Sequence, residues 1–118
     1  SSAIEFVITN EDGKKIYVVG TIGMNNEERI VSIKNHDVDM AISDNMIYLG
    51  NEDVPGVIGA VGATLGKENI NIATMNVGRR ENSAIMLLTV DSEVGRRALK
   101  ALRELSQIKW AHYLDLTI

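Results

Sequence analysis

From residue 45 onward, the segments of this sequence follow one another in an order that few folds accommodate. They read as strand, helix, strand, strand, helix and strand, and both helical segments repeat their apolar residues at helical spacing. The strands are predicted at residues 46–50, 70–77, 83–90 and 108–118, and the helices after residues 56 and 92. This order is the ferredoxin-like β-α-β-β-α-β plan, in which two helices cover one face of a four-stranded antiparallel sheet. We therefore expect an α+β fold, with the apolar segment 83–90 at the centre of its sheet.

Short polar segments predict where these elements begin and end. Asp53 is expected to cap the first helix, whose first turn tolerates Pro55, and Asp91 with Ser92 is expected to cap the second. Residues 67–69 should close the first helix, and residues 78–82 read as a loop between two strands.

The first 42 residues predict four further strands and no helix. The strands are expected at residues 3–9, 14–22, 29–34 and 37–42, with turns at 10–13 and 35–36. Four strands without a helix scarcely bury both faces, so this segment needs a neighbour, either the second half of the chain or a part outside it. We expect residues 1–44 to be a β-rich fragment of one domain and residues 45–118 to be a second domain. The chain has no initiator methionine, and we expect it to be a fragment of a longer protein.

Composition excludes several classes of protein. The chain has 118 residues with 45% hydrophobic residues, and no apolar run approaches the roughly 20 residues of a membrane span. A net charge of −4 argues against nucleic acid as a partner, and one Phe with three Tyr is too few aromatic residues for an RNA-binding domain of the same plan. The absence of cysteine rules out disulfides and thiolate metal sites and fits a cytoplasmic location.

No catalytic arrangement is legible in the sequence. The two histidines, His36 and His112, lie in separate segments, and there is no cysteine to act as a nucleophile. His112 shares strand parity with Trp110 and Leu114, which favours a packed histidine over a functional one. Metal-ligand spacing is also lacking. We expect this chain alone to carry no catalytic site and no metal.

Four glycines lie along one side of the first predicted helix, at spacings of three and four residues, and form a glycine stripe: Gly56, Gly59, Gly62 and Gly66. Each costs roughly 1 kcal/mol of helix propensity relative to alanine, so something should compensate. Close packing of the helix on its own sheet is one explanation, and close approach to a twin helix or to a ligand is the other.

The segment from Asn51 to Gly56 is the best candidate for a binding site. It places polar side chains and free backbone N–H groups at the amino end of the first helix, where a carboxylate is stabilised. Asn71, at the start of the next strand, offers a second side-chain amide, and Asp53 could neutralise an ammonium group. Together these groups suit a free amino acid, although turn and cap residues of these types are also routine.

Three segments of the sequence resemble the ACT domain, a small-molecule sensor of amino-acid metabolism: residues 51–59, 65–79 and 84–91. More narrowly, they resemble the carboxyl-terminal regulatory part of the D-3-phosphoglycerate dehydrogenase family. Upstream, residues 19–23, 29–33 and 37–39 resemble the end of the intervening allosteric substrate-binding domain of the longer members. The resemblance extends over nearly the whole chain.

This resemblance implies a function and a site. Members of that dehydrogenase family bind L-serine across a dimer interface of ACT domains, and the enzyme uses NAD in domains outside this chain, so no cofactor is expected here. The effector-binding positions that match are Asn51 and Asp53 in the loop and Asn71 on the strand, and the loop residues Val54, Pro55 and Gly56 are expected to belong to the same site, with Val54 where relatives usually have arginine. The homodimer, or a higher homo-oligomer, is expected to form along the edge strand 70–77 and the glycine stripe. Two alternatives keep the same fold: the regulatory part of an L-serine dehydratase, and an oligomerisation module that binds no ligand.

Overall fold

The computed structural model describes residues 3–9, 13, 15–22, 28–33, 36–80 and 83–115. These residues form two four-stranded antiparallel sheets and two helices. In chain order the elements are β1 Ala3–Thr9, β2 Lys15–Ile22, β3 Glu28–Ile33, β4 His36–Ala41, β5 Asn45–Glu52, α1 Val57–Lys67, β6 Ile72–Arg80, β7 Ser83–Val90, α2 Arg96–Arg103 and β8 Ile108–Asp115.

The second sheet has the strand order β6-β7-β5-β8, and each neighbouring pair is antiparallel. With α1 after β5 and α2 after β7, this is the ferredoxin-like α+β plan predicted from the sequence. The apolar segment 83–90 is the central strand β7, as expected, and β6 lies at the edge. Because two layers cover this sheet, residues 46–50 of β5 are all buried and their sequence does not alternate.

Both helices pack on one face of the second sheet. Val57, Val61 and Leu65 point inward from α1, and their spacing of four residues keeps them on one side of the helix. Ala98, Leu99 and Leu102 do the same for α2. The sheet residues that they cover are Ile47, Leu49, Met86, Leu88 and Ala111.

The first sheet, in the order β1-β2-β3-β4, covers the opposite face of the second. The residues that fill the space between the sheets include Ile16, Val18, Ile30 and Ile33 from the first and Met46, Tyr48, Ile85, Leu87 and Leu114 from the second. A hydrogen bond joins the two edge strands, because Asn76 Nδ2 on β6 donates to the backbone carbonyl of Asp39 on β4 at 3.0 Å. The neighbour that the first 42 residues were predicted to need is therefore the second half of this chain.

An aromatic cluster lies at the edge of this inter-sheet core. The indole of Trp110 lies 4.8 Å from the ring of Tyr48 and stacks on the imidazole of His112 at 5.5 Å. His112 is buried, so the prediction of a packed histidine is confirmed. A Cβ atom at Gly50 would overlap the indole, which explains glycine at this position of β5.

Four predictions about element ends are wrong. The N-caps of α1 and α2 are Gly56 and Gly95, and neither helix has a side-chain cap hydrogen bond, so Asp53 does not cap α1 and Asp91 with Ser92 does not cap α2. Pro55 precedes the cap instead of lying in the first turn. Residues 78–80 belong to β6 and not to a loop, because strand pairing with β7 continues as far as Arg80 opposite Ser83.

Other predicted ends are close to the observed ones or lie beyond the described part of the chain. The helix α1 ends at Lys67, and Asn69 has a positive φ of 58°, in agreement with closure at residues 67–69. β4 begins at His36, inside the predicted turn. Of the turn predicted at residues 10–13, residues 10–12 lie outside the described residues, as do residues 34–35 and 116–118.

Candidate functional site

A cavity with a volume of about 360 Å³ lies where β5 ends, α1 begins and β6 passes alongside. Five of the six site residues predicted from the sequence line it: Asn51, Asp53, Val54, Pro55 and Gly56. Residues of β6 and β7 complete the wall, with Val77, Arg79 and Met86 among them. The fold thus collects the predicted loop into one concave surface.

Asn51 provides the most unusual polar group of this cavity. It belongs to the end of β5, where the sequence predicted a loop, and only 3% of its surface is exposed. Its Nδ2 donates to the carbonyl of Glu52 at 2.8 Å, but its Oδ1 is buried and accepts no hydrogen bond from the residues that the structure describes. An unpaired buried carbonyl costs roughly 1–3 kcal/mol, so a ligand that donates a proton to Oδ1 would recover this energy.

The amino end of α1 supplies donors to the same cavity. Gly56 caps the helix with φ of 92°, a conformation that favours glycine. The first backbone bond within the helix runs from the N–H of Ala60 to the carbonyl of Gly56 at 3.0 Å. The N–H groups of residues 57–59 therefore have no partner in their own helix, and together with the helix dipole they favour an anion.

Arg79 is a cavity residue that the sequence prediction missed. Its Nε donates to both carboxylate oxygens of Asp53, at 3.0 Å each. This contact exists because β6 extends to Arg80 and carries Arg79 alongside the end of β5. The signal in the sequence is strand parity, since Met75, Val77 and Arg79 alternate along β6 and the first two pack towards the helices.

Asn71 does not reach the cavity within one chain. It precedes β6, at the end of the strand opposite to Arg79, and eight residues of strand span roughly 25 Å. Its Nδ2 donates to Asp91 Oδ2 at 2.7 Å, and the N–H of Asp91 donates back to its carbonyl at 3.2 Å. A second chain that paired antiparallel with β6 would bring its own Asn71 towards the cavity, because such pairing sets opposite strand ends side by side.

The surface beside the cavity is apolar and open. Val54 and Ile58 are 44% and 54% exposed. A Cβ atom built on Gly59, Gly62 or Gly66 meets no atom of the described residues within 4 Å, apart from the adjoining backbone of α1 itself. Close packing on the sheet of the same chain is therefore the wrong explanation for these three glycines, and close approach to a twin helix or to a ligand stays a prediction.

The described residues hold neither a candidate metal centre nor a membrane-spanning helix. No group of three or more His, Asp or Glu side chains there could hold a metal ion. No helix there is long and apolar enough to cross a membrane.

The strand order, the helix placement and the cavity at the start of the first helix define the class of protein. Residues 45–107 match the ACT domain family, and the chain belongs to that family. Among its relatives are proteins named D-3-phosphoglycerate dehydrogenase. The one from Bacillus subtilis is 40% identical over 91 residues, which cover 75% of this chain and 17% of the relative.

Two archaeal relatives carry the same name and match more of the chain. The protein from Archaeoglobus fulgidus is 38% identical over 114 residues, and that from Methanocaldococcus jannaschii is 34% identical over 112. Each match covers 93% of this chain and 21% of the relative. The chain thus spans about a fifth of the length of these relatives, and the predicted resemblance to them is confirmed.

Proposed function

We propose that this chain is the serine-sensing regulatory part of a D-3-phosphoglycerate dehydrogenase. The relatives described above carry that name, which supports this parent over an L-serine dehydratase. The reaction, NAD-dependent oxidation of 3-phosphoglycerate, belongs to regions of the parent outside this chain. The role of the chain is feedback inhibition by the end product of the pathway.

The observation that carries the proposal is the unpaired Oδ1 of Asn51 beside the amino end of α1. An amino-acid zwitterion carries both a hydrogen-bond donor for Oδ1 and an anion for the amino end of α1. Its ammonium, or the hydroxyl of serine, can donate to Oδ1, and its carboxylate can accept from the N–H groups of residues 57–59. A cavity of about 360 Å³ is ample for a ligand as small as serine.

The effector site is completed by a second copy of the chain. In a homodimer that joins the two β6 edges about a twofold axis, Asn71 of one chain faces the cavity of the other. The exposed side chains of Val54 and Ile58 and the bare surface at Gly62 and Gly66 fit such an interface, since a second chain would cover them. Serine held between two chains binds the paired arrangement better than the separated one, and this differential affinity is what allows it to regulate.

The test is the thermal unfolding midpoint of the chain with and without millimolar L-serine, with D-serine and L-leucine as ligand controls. At about 100 times its Kd, a ligand adds roughly 2.7 kcal/mol, which raises the midpoint of a domain this small by roughly 10 °C. Sedimentation of the same samples reports whether the stabilised species is a dimer. No midpoint shift with any small amino acid, in a chain that remains dimeric, would leave a module that only oligomerises.

Two variants separate the ligand contact of Asn71 from its contact within the chain. Asn71→Ala removes both the amide and its bond to Asp91, and it should abolish the L-serine shift. Asp91→Ala breaks the same bond but leaves the amide of Asn71 in place, so the shift should survive. Equal loss of the shift in both variants would mean that Asn71 acts only on its own strand.

A further inference from the structure

The ion pair between Arg79 and Asp53 forms one wall of the cavity and leaves part of the guanidinium unused. Arg79 holds both oxygens of Asp53 through a single nitrogen, Nε. Its Nη1 and Nη2 carry four further N–H groups, and these make no hydrogen bond to any residue that the structure describes. The side chain of Arg79 is 67% exposed and lines the cavity.

We propose that Arg79 binds the α-carboxylate of the effector and is a specificity-determining residue of this site. The inference rests on the proposed function, since it concerns the same cavity. Asp53 fixes the plane of the guanidinium through Nε, and the two Nη groups face the ligand together with the N–H groups that begin α1. A carboxylate matches this pair of donor sets, because a guanidinium fork and a helix terminus both favour a planar anion.

The charges around the cavity support an anionic contact at this end. Asp53 is the acidic residue of the cavity wall, and Arg79 neutralises it, so the partial positive charge of the α1 terminus remains. The unpaired Oδ1 of Asn51 is left to receive the ammonium or hydroxyl group. The ligand is thereby oriented, with its carboxylate towards Arg79 and its donor groups towards β5.

This assignment predicts which ligands the site rejects. Amines and amides that resemble serine but lack the carboxylate should bind weakly, because they leave the guanidinium without its anion. An arginine that merely braces Asp53 would not distinguish such ligands from serine. Binding of the carboxylate by Arg79 is therefore distinguished from support of Asp53 alone by combining a substitution of Arg79 with removal of the ligand's carboxylate.

The experiment measures the affinity of the chain for L-serine and for L-serinamide, in mildly acidic buffer so that the amine of serinamide stays protonated. Both ligands are titrated up to high millimolar concentration by ligand-induced stabilisation, with wild type, Arg79→Gln and Arg79→Lys. Arg97→Gln is the matched control, because Arg97 forms an equivalent pair through Nε with Glu68 at 3.0 Å but lies on α2, away from the cavity.

We expect Arg79→Gln to weaken L-serine binding roughly tenfold or more, as the loss of a charge-assisted hydrogen bond does, and to change L-serinamide binding less than about twofold. Arg79→Lys should fall between wild type and Arg79→Gln for L-serine, since it keeps the charge without the fork. Arg97→Gln should bind both ligands as wild type does. Equal weakening of both ligands, or unchanged L-serine binding in Arg79→Gln, would overturn the assignment of Arg79 and leave the serine site standing. A wild-type chain that binds no amino acid would instead overturn the proposed function, and this assignment with it.

Discussion

At the scale of single residues, the two aspartates that looked like helix caps show what local sequence cannot reveal. Asp53 and Asp91 each precede a helix, where an acidic residue is favoured, yet Asp53 accepts from Arg79 near the end of β6 and Asp91 accepts from Asn71 just before its start. The partners, Arg79 and Asn71, are 26 and 20 residues away. A charged or amide partner competes with the backbone for the same oxygen, and sequence spacing contains no information about such a partner.

Asn51 illustrates how a binding residue can be costly in the free chain. We expect Asn51→Leu to abolish stabilisation by L-serine while changing the free energy of unfolding of the ligand-free chain by less than about 1 kcal/mol. The variant loses the bond to Glu52, worth about 1 kcal/mol, but it also removes the unpaired Oδ1, whose burial costs a similar amount. Urea denaturation with and without L-serine measures both effects.

Asn45→Leu is the control for this variant. Asn45 lies at the opposite end of β5, where its Oδ1 accepts from the hydroxyl of Tyr113, and it is neither in the cavity nor on β6, so its replacement should leave L-serine binding intact. Retained L-serine binding in Asn51→Leu would show that Oδ1 does not contact the ligand.

At the scale of elements, the type and order of the segments could be predicted from the sequence, but the strand ends around the site could not. Residues 83–90 are apolar throughout, and α1 repeats Val57, Val61 and Leu65, so pattern alone identified both. Asn51 and Arg79 lie in strand extensions of polar composition, which read as loops. Those extensions are held by pairing with β7, a tertiary contact that the local pattern does not contain.

The exposed side of α1 gives a second prediction at this scale. Gly62→Ala should raise the free energy of unfolding by about 0.5–1 kcal/mol when measured on dilute, monomeric chain, because a Cβ atom there meets open space and favours the helix. Ala63→Gly, one position along on an exposed site, should lower it by a similar amount. If the stripe contacts a second chain, the gain from Gly62→Ala should shrink as the protein concentration increases. A loss of stability in dilute Gly62→Ala would contradict the open surface seen here.

At the scale of the whole molecule, the second sheet is the middle layer of three. The two helices cover one of its faces, and the first sheet covers the other. The cavity lies at one end of β5 and β6, and β6 is also the strand that bonds to β4 of the first sheet. Movement of β6 on ligand binding would therefore displace residues of both sheets.

This layering predicts that the two sheets unfold together. Ile16 is 1% exposed and lies between the sheets, so Ile16→Ala should lower the free energy of unfolding by about 2–5 kcal/mol. Tyr17 is 55% exposed on the same strand, so Tyr17→Ala should lower it by less than about 1 kcal/mol. Trp110 is the single tryptophan and belongs to the second sheet, beside the inter-sheet core, so its fluorescence reports on that sheet during urea denaturation. In Ile16→Ala, the fluorescence midpoint should fall together with the midpoint of the far-ultraviolet circular dichroism, because loss of the inter-sheet core removes the cover from Tyr48 and Leu87. A fluorescence midpoint that stays at the wild-type value while the circular dichroism splits into two transitions would mean that the second sheet is stable without the first.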